Sequence, residues 1–459
     1  MKTTKFFLMA ALALTFAACS NDDNDILNPA QTAKGEGITI TATLAPKDAG
    51  ATTRAVSEGT GDDAGDIVAS WAKNEHIAIL YDKDGAQMAD AEIKSVDASG
   101  TATIEFTVVD GTPDNTACTL VYPKGAAKAD NTGVKDYADW LASQNGTLNA
   151  DLDVRVGAGT IQTTTPGLTV TTQPAAQFAI FKFTLSGPSI DNTHPLVIKD
   201  NASNKTITTV TPASTATSVY AAMPAAASTT YKFVVITADN KYIKSGTATI
   251  EAGKYYQTTL TMTGRYPLAL SSATAEWDLG AVACSDGNLY MEKKAAPSGK
   301  TAVGIVGNVT ATGHGLILAL KDATEQTWNT INGWTSVATY AGTTLKVLPN
   351  NAARGSLTSY TKLGSTNVSN WAVGQKSDYE AIFTNLGSTT SDYDGTTFDG
   401  NVTAYITTGV GGDAFGALPM YYYWCATDHN EEGGWIFSSS CFEGDYRTST
   451  NSVRPVLGF

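Results

Sequence analysis

A strict alternation of apolar and polar residues is the feature that most restricts how this chain can fold. The segment Ile38–Leu44 reads Ile-Thr-Ile-Thr-Ala-Thr-Leu, so its apolar side chains all fall on one face of an extended backbone. The same period of two returns in residues 77–81 and 103–108, and turn sequences rich in Asp and Gly separate these runs. The pattern therefore predicts half-buried strands of an antiparallel β domain.

A second block of strands follows. Residues 179–185 alternate again, and residues 231–236 and 254–262 predict further strands. The sequence Arg265-Tyr266-Pro267 then marks a junction, because proline cannot donate to a β ladder and commonly ends a strand.

The third block, residues 276–459, holds most of the tryptophans and the clearest helical pattern. Ser377 and Glu380 predict a capping box at the start of that helix, and Gly387 stands where a glycine often follows the last turn. The apolar stripe of the helix is formed by Tyr379, Ile382, Phe383 and Leu386. Short strands are predicted at residues 420–426, 434–439 and 453–459, which makes this block α+β.

Length and charge limit the function. The chain has 459 residues, more than one hydrophobic core usually supports, so we expect about two to four domains. Its net charge is −14. Because such a surface repels nucleic acid, a nucleic-acid partner is excluded.

The first residues indicate export. Lys2 and Lys5 precede an apolar run at residues 6–14 that is too short to span a bilayer, and small residues then lead to Cys19. This arrangement resembles a bacterial lipoprotein signal, which implies a signal peptide at residues 1–18, lipid on Cys19 and a tether at residues 19–36. The acidic residues after Cys19 resemble signals for export to the outer face of the outer membrane. The alternative is an ordinary secretory signal with an incidental cysteine.

Six short motifs occur in a fixed order along the first two blocks. They are Thr53-Arg54-Ala55 and the sequences at residues 71–78, 144–147, 179–183, 219–224 and 252–256. Together they resemble the fimbrillin family, the pilins of lipoprotein-derived fimbriae. The resemblance implies two transthyretin-like β-sandwich domains, at residues 37–164 and 165–264.

The same resemblance implies a maturation step. In fimbrillins a trypsin-like protease cuts after an arginine near the first strand, which here corresponds to Arg54 followed by Ala55. The cut strand leaves, and a strand from the next subunit fills the vacated edge by β-augmentation. Other fimbrial subunits are therefore the expected partners.

The third block resembles a C-type-lectin-like module of bacterial surface proteins. The residues that carry this resemblance are His314-Gly315-Leu316, Ala319-Leu320-Lys321-Asp322, Trp328, Tyr423-Trp424, Trp435 and Val453-Arg454-Pro455-Val456. A fimbrillin pair with such an extra domain resembles a tip pilin. This implies an adhesive role toward a glycan or protein on a host or bacterial surface.

Two loops of the third block are candidate ligand or calcium sites, because calcium prefers clustered oxygen ligands. The first contains Asp392, Asp394, Asp399 and Asn401, and the second contains Asp428, Asn430 and Glu431. Solvated loops without a metal are the alternative. Calcium is the only cofactor expected at all.

Cysteine spacing leaves two interpretations open. Outside the cytoplasm Cys425 and Cys441 are the most plausible disulfide pair, and free buried thiols are the alternative. The sequence contains no nucleophile elbow, phosphate loop or His-Glu-x-x-His motif, so we expect no enzymatic activity. Two functions remain: a fimbrial subunit with a binding head, or a lipid-anchored glycan-binding protein that never polymerises.

The lipid anchor depends on a single residue. We expect Cys19→Ser to give soluble or unprocessed protein, because the acyl chains have no other predicted attachment point. Immunoblots of membrane fractions measure this, and Cys118→Ser serves as the control that should stay in the membrane. An unchanged outer-membrane signal for Cys19→Ser would contradict the prediction.

Overall fold

Strands dominate the structure, a computed structural model that describes residues 37–46, 57–58, 67–68, 70–340, 343–354, 357, 362–363, 366–367, 371–387, 400–415, 422–437 and 442–459. The chain is mainly β and divides into two compact units. The first runs to Thr237 and includes Tyr242–Gly264, and the second comprises Ala238–Lys241 and Arg265–Phe459.

The first unit begins with one curved sheet. The elements of this part of the chain, in order, are β1 (Ile38–Leu44), β2 (Ser57–Glu58), β3 (Ile67–Val68), β4 (His76–Asp82), β5 (Ala86–Val96), β6 (Ala102–Val108), β7 (Thr116–Tyr122), α1 (Tyr137–Trp140), β8 (Ser143–Gln144), β9 (Arg155–Gln162) and β10 (Gly167–Ala176). The strand order among the described residues is β1-β6-β5-β4-β7-β9-β10. β1 and β10, at opposite ends of this order, contact each other. The sheet therefore curls around its own core.

The predicted alternation is confirmed in this core. Ile40 and Leu44 of β1 and Ile104, Phe106 and Val108 of β6 are all buried. The intervening threonines of β1 are exposed. The turns fall where the sequence placed them: Gly85, Gly100 and Gly111 adopt positive φ, which costs glycine little.

The rest of the first unit is a sandwich. Its strands are β11 (Phe178–Ser186), β12 (Leu196–Asp200), β13 (Thr206–Val210), β14 (Val219–Pro224), β15 (Ala226–Ile236), β16 (Lys241–Ile250), β17 (Tyr255–Thr261) and β18 (Thr263–Gly264). Within the described chain they form the sheets β14-β11-β17 and β18-β16-β15-β12-β13-β8. Phe181, Phe183 and Leu185 of one sheet share a core with Phe233 and Val235 of the other. The predicted apolar face of residues 179–185 is thus confirmed.

The second unit combines sheets with helices. Its strands are β19 (Leu268–Ala269), β20 (Val282–Cys284), β21 (Asn288–Tyr290), β22 (Ala302–Ala311), β23 (His314–Ala319), β24 (Gln326–Thr327), β25 (Val337–Tyr340), β26 (Thr343–Val347), β27 (Lys362–Leu363), β28 (Thr366–Asn367), β29 (Ala372–Val373), β30 (Tyr423–Asn430), β31 (Gly433–Phe437), β32 (Phe442–Tyr446), β33 (Thr450–Asn451) and β34 (Val456–Gly458). Its helices are α2 (Trp328–Asn332), α3 (Asn351–Arg354), α4 (Lys376–Asn385) and α5 (Gly400–Thr407). The main sheet has the order β19-β21-β20-β22-β23-β34-β29-β26-β25 among the described strands.

The predicted helix is present, but its cap is different. α4 begins at Lys376, and the carboxylate of Asp378 accepts the backbone N–H of Gln375 at 2.8 Å, so Gln375 and Asp378 form the capping box. The prediction of Ser377 and Glu380 was wrong, because the helix begins two residues earlier than that pair requires. The apolar stripe is buried as predicted, and Gly387 follows the last turn with a φ of 91°.

The C-terminal strand lies inside the main sheet. β34 pairs with β23 on one side and with β29 on the other. It is shorter than predicted, because Pro455 cannot donate to the ladder. Arg454 is fully buried just before it, and its Nε donates to Asp322 Oδ1 at 2.5 Å. Removing a charged partner from such a pair leaves an uncompensated buried charge, so this end of the chain is firmly held.

One buried amide connects several elements of the first unit. Gln144 Nε2 donates to Ala222 O and to Thr208 Oγ1, each at 3.0 Å, and Gln144 Oε1 accepts from Ala222 N at 2.8 Å. Gln144 thereby links β8 to β13 and β14. An apolar side chain here would leave several buried polar groups without partners.

We therefore expect Gln144→Leu to lower the free energy of unfolding by about 2–4 kcal/mol. The control is Gln162→Leu, because the Gln162 amide donates to Thr169 at the surface and should cost about 0.5 kcal/mol or less. Denaturant titration of both variants measures the difference. Equal stabilities would contradict the bridging role of Gln144.

Candidate functional site

The N-terminal strand β1 is the element on which the predicted maturation depends. It lies at one end of the strand order and pairs antiparallel with β6, from Ile38 opposite Val108 to Leu44 opposite Ala102. Its alternation places Ile40, Ala42 and Leu44 in the core. β1 is thus an end strand whose apolar face completes a hydrophobic core.

The surface that β1 covers has a definite shape. Ile40 lies opposite Phe106, Ala42 opposite Ile104, and Leu44 opposite Ala102. A small side chain therefore faces a larger one at the middle and last positions. We call this surface of β6 and the adjoining core, with Trp71 at its far end, the β1 slot.

Trp71 contacts the chain where β1 ends. Its indole Nε1 donates to the carbonyl oxygen of Ala45 at 2.9 Å, and its ring packs edge-on against Tyr122 with 5.3 Å between centroids. Trp71 is 2% exposed and belongs to the same core as Leu44. The indole thus joins the body of the domain to the segment after β1.

A buried polar network supports Trp71 from behind. The Glu75 carboxylate accepts the backbone N–H of Ala72 at 3.1 Å and a hydrogen bond from Tyr122. Arg155 Nε donates to Asp153 Oδ2 at 2.9 Å nearby. Burial raises the pKa of Tyr122, and the negative charges of Glu75 and Asp153 add to that effect. The phenol therefore stays neutral and keeps its donor proton.

Several predicted site residues lie outside the described residues. They are Cys19, Arg54, Ala55, Asp392, Asp394, Asp399 and Cys441. Asn401 lies in α5, and only its backbone is described. The lipidation, cleavage and first-loop hypotheses therefore stay predictions.

The second candidate calcium loop is organised by an arginine. Arg447 Nη2 donates to Asp428 Oδ1 at 3.2 Å, and Arg447 Nε donates to the carbonyl oxygen of Glu431 at 2.8 Å. The Asn430 carbonyl also accepts from Arg447, at 3.3 Å. The guanidinium of Arg447 thus forms hydrogen bonds with oxygen atoms that a calcium ion would need as ligands. Among the described residues, no group of three or more His, Cys, Asp and Glu side chains is placed to hold a metal.

The predicted pairing of Cys425 differs from the structure. Cys425 is a free, buried thiol in β30, which is the alternative that the sequence left open. It lies in an aromatic core beside Tyr379, Tyr423 and Phe437, where a small apolar thiol packs well. Cys118 and Cys284 are also free and buried within the described part of the chain.

Sequence reasoning missed a polar groove beside α4. The groove has a volume of about 470 Å³ and is lined by Thr344, Gln375, Lys376, Ser377, Glu380 and Thr427. Lys376 Nζ lies 2.5 Å from Glu380 Oε1 and 4.5 Å from the centre of the Trp435 ring. No sequence motif indicated this groove, because its lining residues come from three separate segments.

Comparisons with known proteins give fold similarities at low TM-scores. A fimbrial protein from Bacteroides ovatus is 13% identical, covers 92% of this chain and 99% of its own, and has a TM-score of 0.25. A fimbrial assembly protein from Parabacteroides distasonis is 13% identical, covers 49% of this chain and 90% of its own, and has a TM-score of 0.27. A minor pilin from Streptococcus agalactiae is 10% identical, covers 49% of this chain and 96% of its own, and has a TM-score of 0.20.

No family model matches the chain, and no curated protein matches it. At these TM-scores no function is transferred from the similar structures to this chain. In the described part of the chain, no helix is long and apolar enough to cross a membrane.

The buried thiols yield a direct test. Burial raises the pKa of Cys118 and of Cys284 to about 12 and raises that of Cys425 well above its usual range. Because the thiolate is the reactive form, Cys118, Cys284 and Cys425 should resist alkylation at neutral pH in the native chain and react fully in denaturant. Mass spectrometry of the alkylated peptides measures this. A disulfide-linked peptide containing Cys425 and Cys441 would contradict the free thiol.

Proposed function

We propose that this chain is a subunit of a bacterial surface fimbria that is exported with lipid on Cys19 and activated for assembly by cleavage at Arg54, which would separate the body of the subunit from that lipid. The observation that carries the proposal is the position of β1: an end strand, buried on one face, that precedes Arg54 by ten residues from Leu44. Cleavage would leave β1 held only by non-covalent contacts. The proposed assembly step is replacement of β1 by a strand of another subunit.

The free energy gained by burying apolar side chains favours replacement of β1 by another strand over the loss of β1 alone. Burying an aliphatic side chain such as Ile40 or Leu44 contributes about 1.5–3 kcal/mol. An empty slot would expose these contacts and the unpaired backbone edge of β6 to water. A cleaved subunit therefore gains by accepting another strand with the same alternation.

The other end of the chain supports a terminal position in the fibre. β34 pairs on both sides in the main sheet, and Arg454 beside it is buried against Asp322. A strand held in this way is not available for donation. We therefore propose that the subunit accepts a strand but donates none from its C-terminus, as a tip subunit would, and presents the second unit as an adhesive head.

A second candidate function is favoured by the groove beside α4. Thr427, Gln375 and Glu380 line this groove with hydroxyl, amide and carboxylate groups, and Lys376, which also lines it, lies 4.5 Å from the centre of the Trp435 ring. Polar groups beside an aromatic face suit a hydroxyl-rich ligand such as a glycan. The groove would serve either an adhesive fimbrial head or a free-standing glycan-binding lipoprotein.

Substitution at the cleavage site separates these functions. We expect Arg54→Ala to fold normally but to be absent from fibres, because its β1 stays covalently attached. Immunogold labelling of fibre ends measures incorporation, and Lys47→Ala serves as a control that should incorporate like the wild type.

Two outcomes would contradict the fimbrial function. The first is Arg54→Ala at fibre ends with β1 still attached, which would eliminate the cleavage step. The second is a wild-type chain that never occurs in fibres, which would favour the free-standing glycan-binding protein.

A further inference from the structure

We propose that the β1 slot selects the register of the strand that fills it, through Ile104 in its middle and the Trp71 indole at its end. This rests on the strand exchange proposed above. The partner it specifies is an extended segment of another chain, antiparallel to β6. Its inward side chains are large, small and large, and a backbone carbonyl follows the last of them.

Alternation alone leaves the register ambiguous. A shift of one residue would turn every apolar side chain of the strand toward water, which makes that register very unfavourable. A shift of two residues keeps the apolar face inward. The β1 sequence, Ile-Thr-Ile-Thr-Ala-Thr-Leu, shows that such a slip preserves the pattern over most of its length. A further feature must therefore fix the register.

Side-chain size supplies one such feature. Ala42 lies opposite the buried Ile104, whereas Leu44 lies opposite the small Ala102. A slip of two residues would place Leu44 or Ile40 at the position of Ala42. Overpacking of a close-packed core is costly, so the slot discriminates against a large side chain at its middle.

The Trp71 indole supplies the second feature. Its N–H meets the carbonyl of Ala45, the residue directly after Leu44, at 2.9 Å. A two-residue slip would move that carbonyl by about 7 Å along the strand. The indole has no freedom to follow, because Tyr122 packs against its ring and the turn behind it is fixed by Glu75.

The first residue before the strand is restricted as well. A Cβ added at Gly37 would lie 2.5 Å from Thr107 Cγ2 and 2.5 Å from the Val108 carbonyl oxygen. The slot therefore has a defined beginning, where only glycine approaches closely enough, and a defined end at Trp71. Together these contacts span the positions from Gly37 to Ala45 and restrict the first, the middle and the last part of that segment.

The test uses the full chain cleaved after Arg54 and synthetic peptides that compete with β1. The long peptide spans residues 37–46, and the short amidated peptide spans residues 37–44 and so lacks the Ala45 carbonyl. We expect the long peptide to bind about fivefold more tightly, the size of one neutral hydrogen bond. In Trp71→Phe this ratio should fall to one. In Trp140→Phe it should persist, because the Trp140 indole donates to Asp151 O elsewhere in the same unit.

Two peptide substitutions test the middle position without altering the protein. In the long peptide, Ala42→Leu should weaken binding about tenfold or more, and Thr41→Leu, whose side chain faces outward, should change it little. Fluorescence anisotropy of labelled peptides measures all of these affinities.

The outcomes separate the two proposals. If no peptide enters the cleaved chain, both the strand exchange and the register selection are overturned. If the long peptide enters but neither its truncation nor Ala42→Leu weakens its binding, the register selection is overturned and the exchange stands.

Discussion

The first unit depends on the covering of its apolar sheet face by β1. The end strands of this curved sheet contact each other, and among the residues that the structure describes no other element fills the positions of Ile40 and Leu44. The strand is therefore part of the hydrophobic core, although it stands first in the fold and precedes a predicted cleavage site. Its removal would affect the core and not merely an edge.

The first and the last described strands of the chain differ in how they pair with their neighbours. β1 pairs with β6 alone in the described sheet and contacts β10 without pairing, whereas β34 pairs with β23 and β29. The ion pair between the buried Arg454 and the partly exposed Asp322 adds a second restraint beside β34. An interior strand cannot leave without opening a sheet on both sides. Exchange is thus physically reasonable at one end of the chain and unreasonable at the other.

The sequence predicted what local periodicity encodes. The faces of β1, β6 and β11 and the buried stripe of α4 were correct, because each follows from a short repeat of apolar residues. The predicted cap of α4 was wrong because Ser377 and Glu380 match the usual sequence pattern of a capping box, whereas Gln375 and Asp378, which form it, do not. The start of the helix at Lys376 and the hydrogen bond from Gln375 N–H to Asp378 identify the actual pair.

Contacts between residues that are distant in sequence could not be predicted from local sequence patterns. The hydrogen bond from Trp71 to Ala45 spans 26 residues, and Arg447 reaches the loop of Asp428 from 19 residues away. The acidic loop therefore resembled a calcium site in the sequence, because nothing local showed that a guanidinium stands among its oxygens. The free Cys425 has the same explanation, since its aromatic surroundings include Tyr379 of α4 and Phe437 of β31, which are distant from it in sequence.

In the proposed exchange, cleavage by itself would change little in the free energy of the bound strand. It would remove only the covalent link, which keeps β1 at a high effective concentration near its slot. An incoming strand would make the same ladder and bury similar side chains, so the exchange free energy would be a small difference between two large and similar terms. Small features such as the size of Ile104 and the single hydrogen bond of Trp71 would then decide which strand is accepted. A slot built on burial alone would hold its own strand equally well but would not discriminate among others with the same alternation.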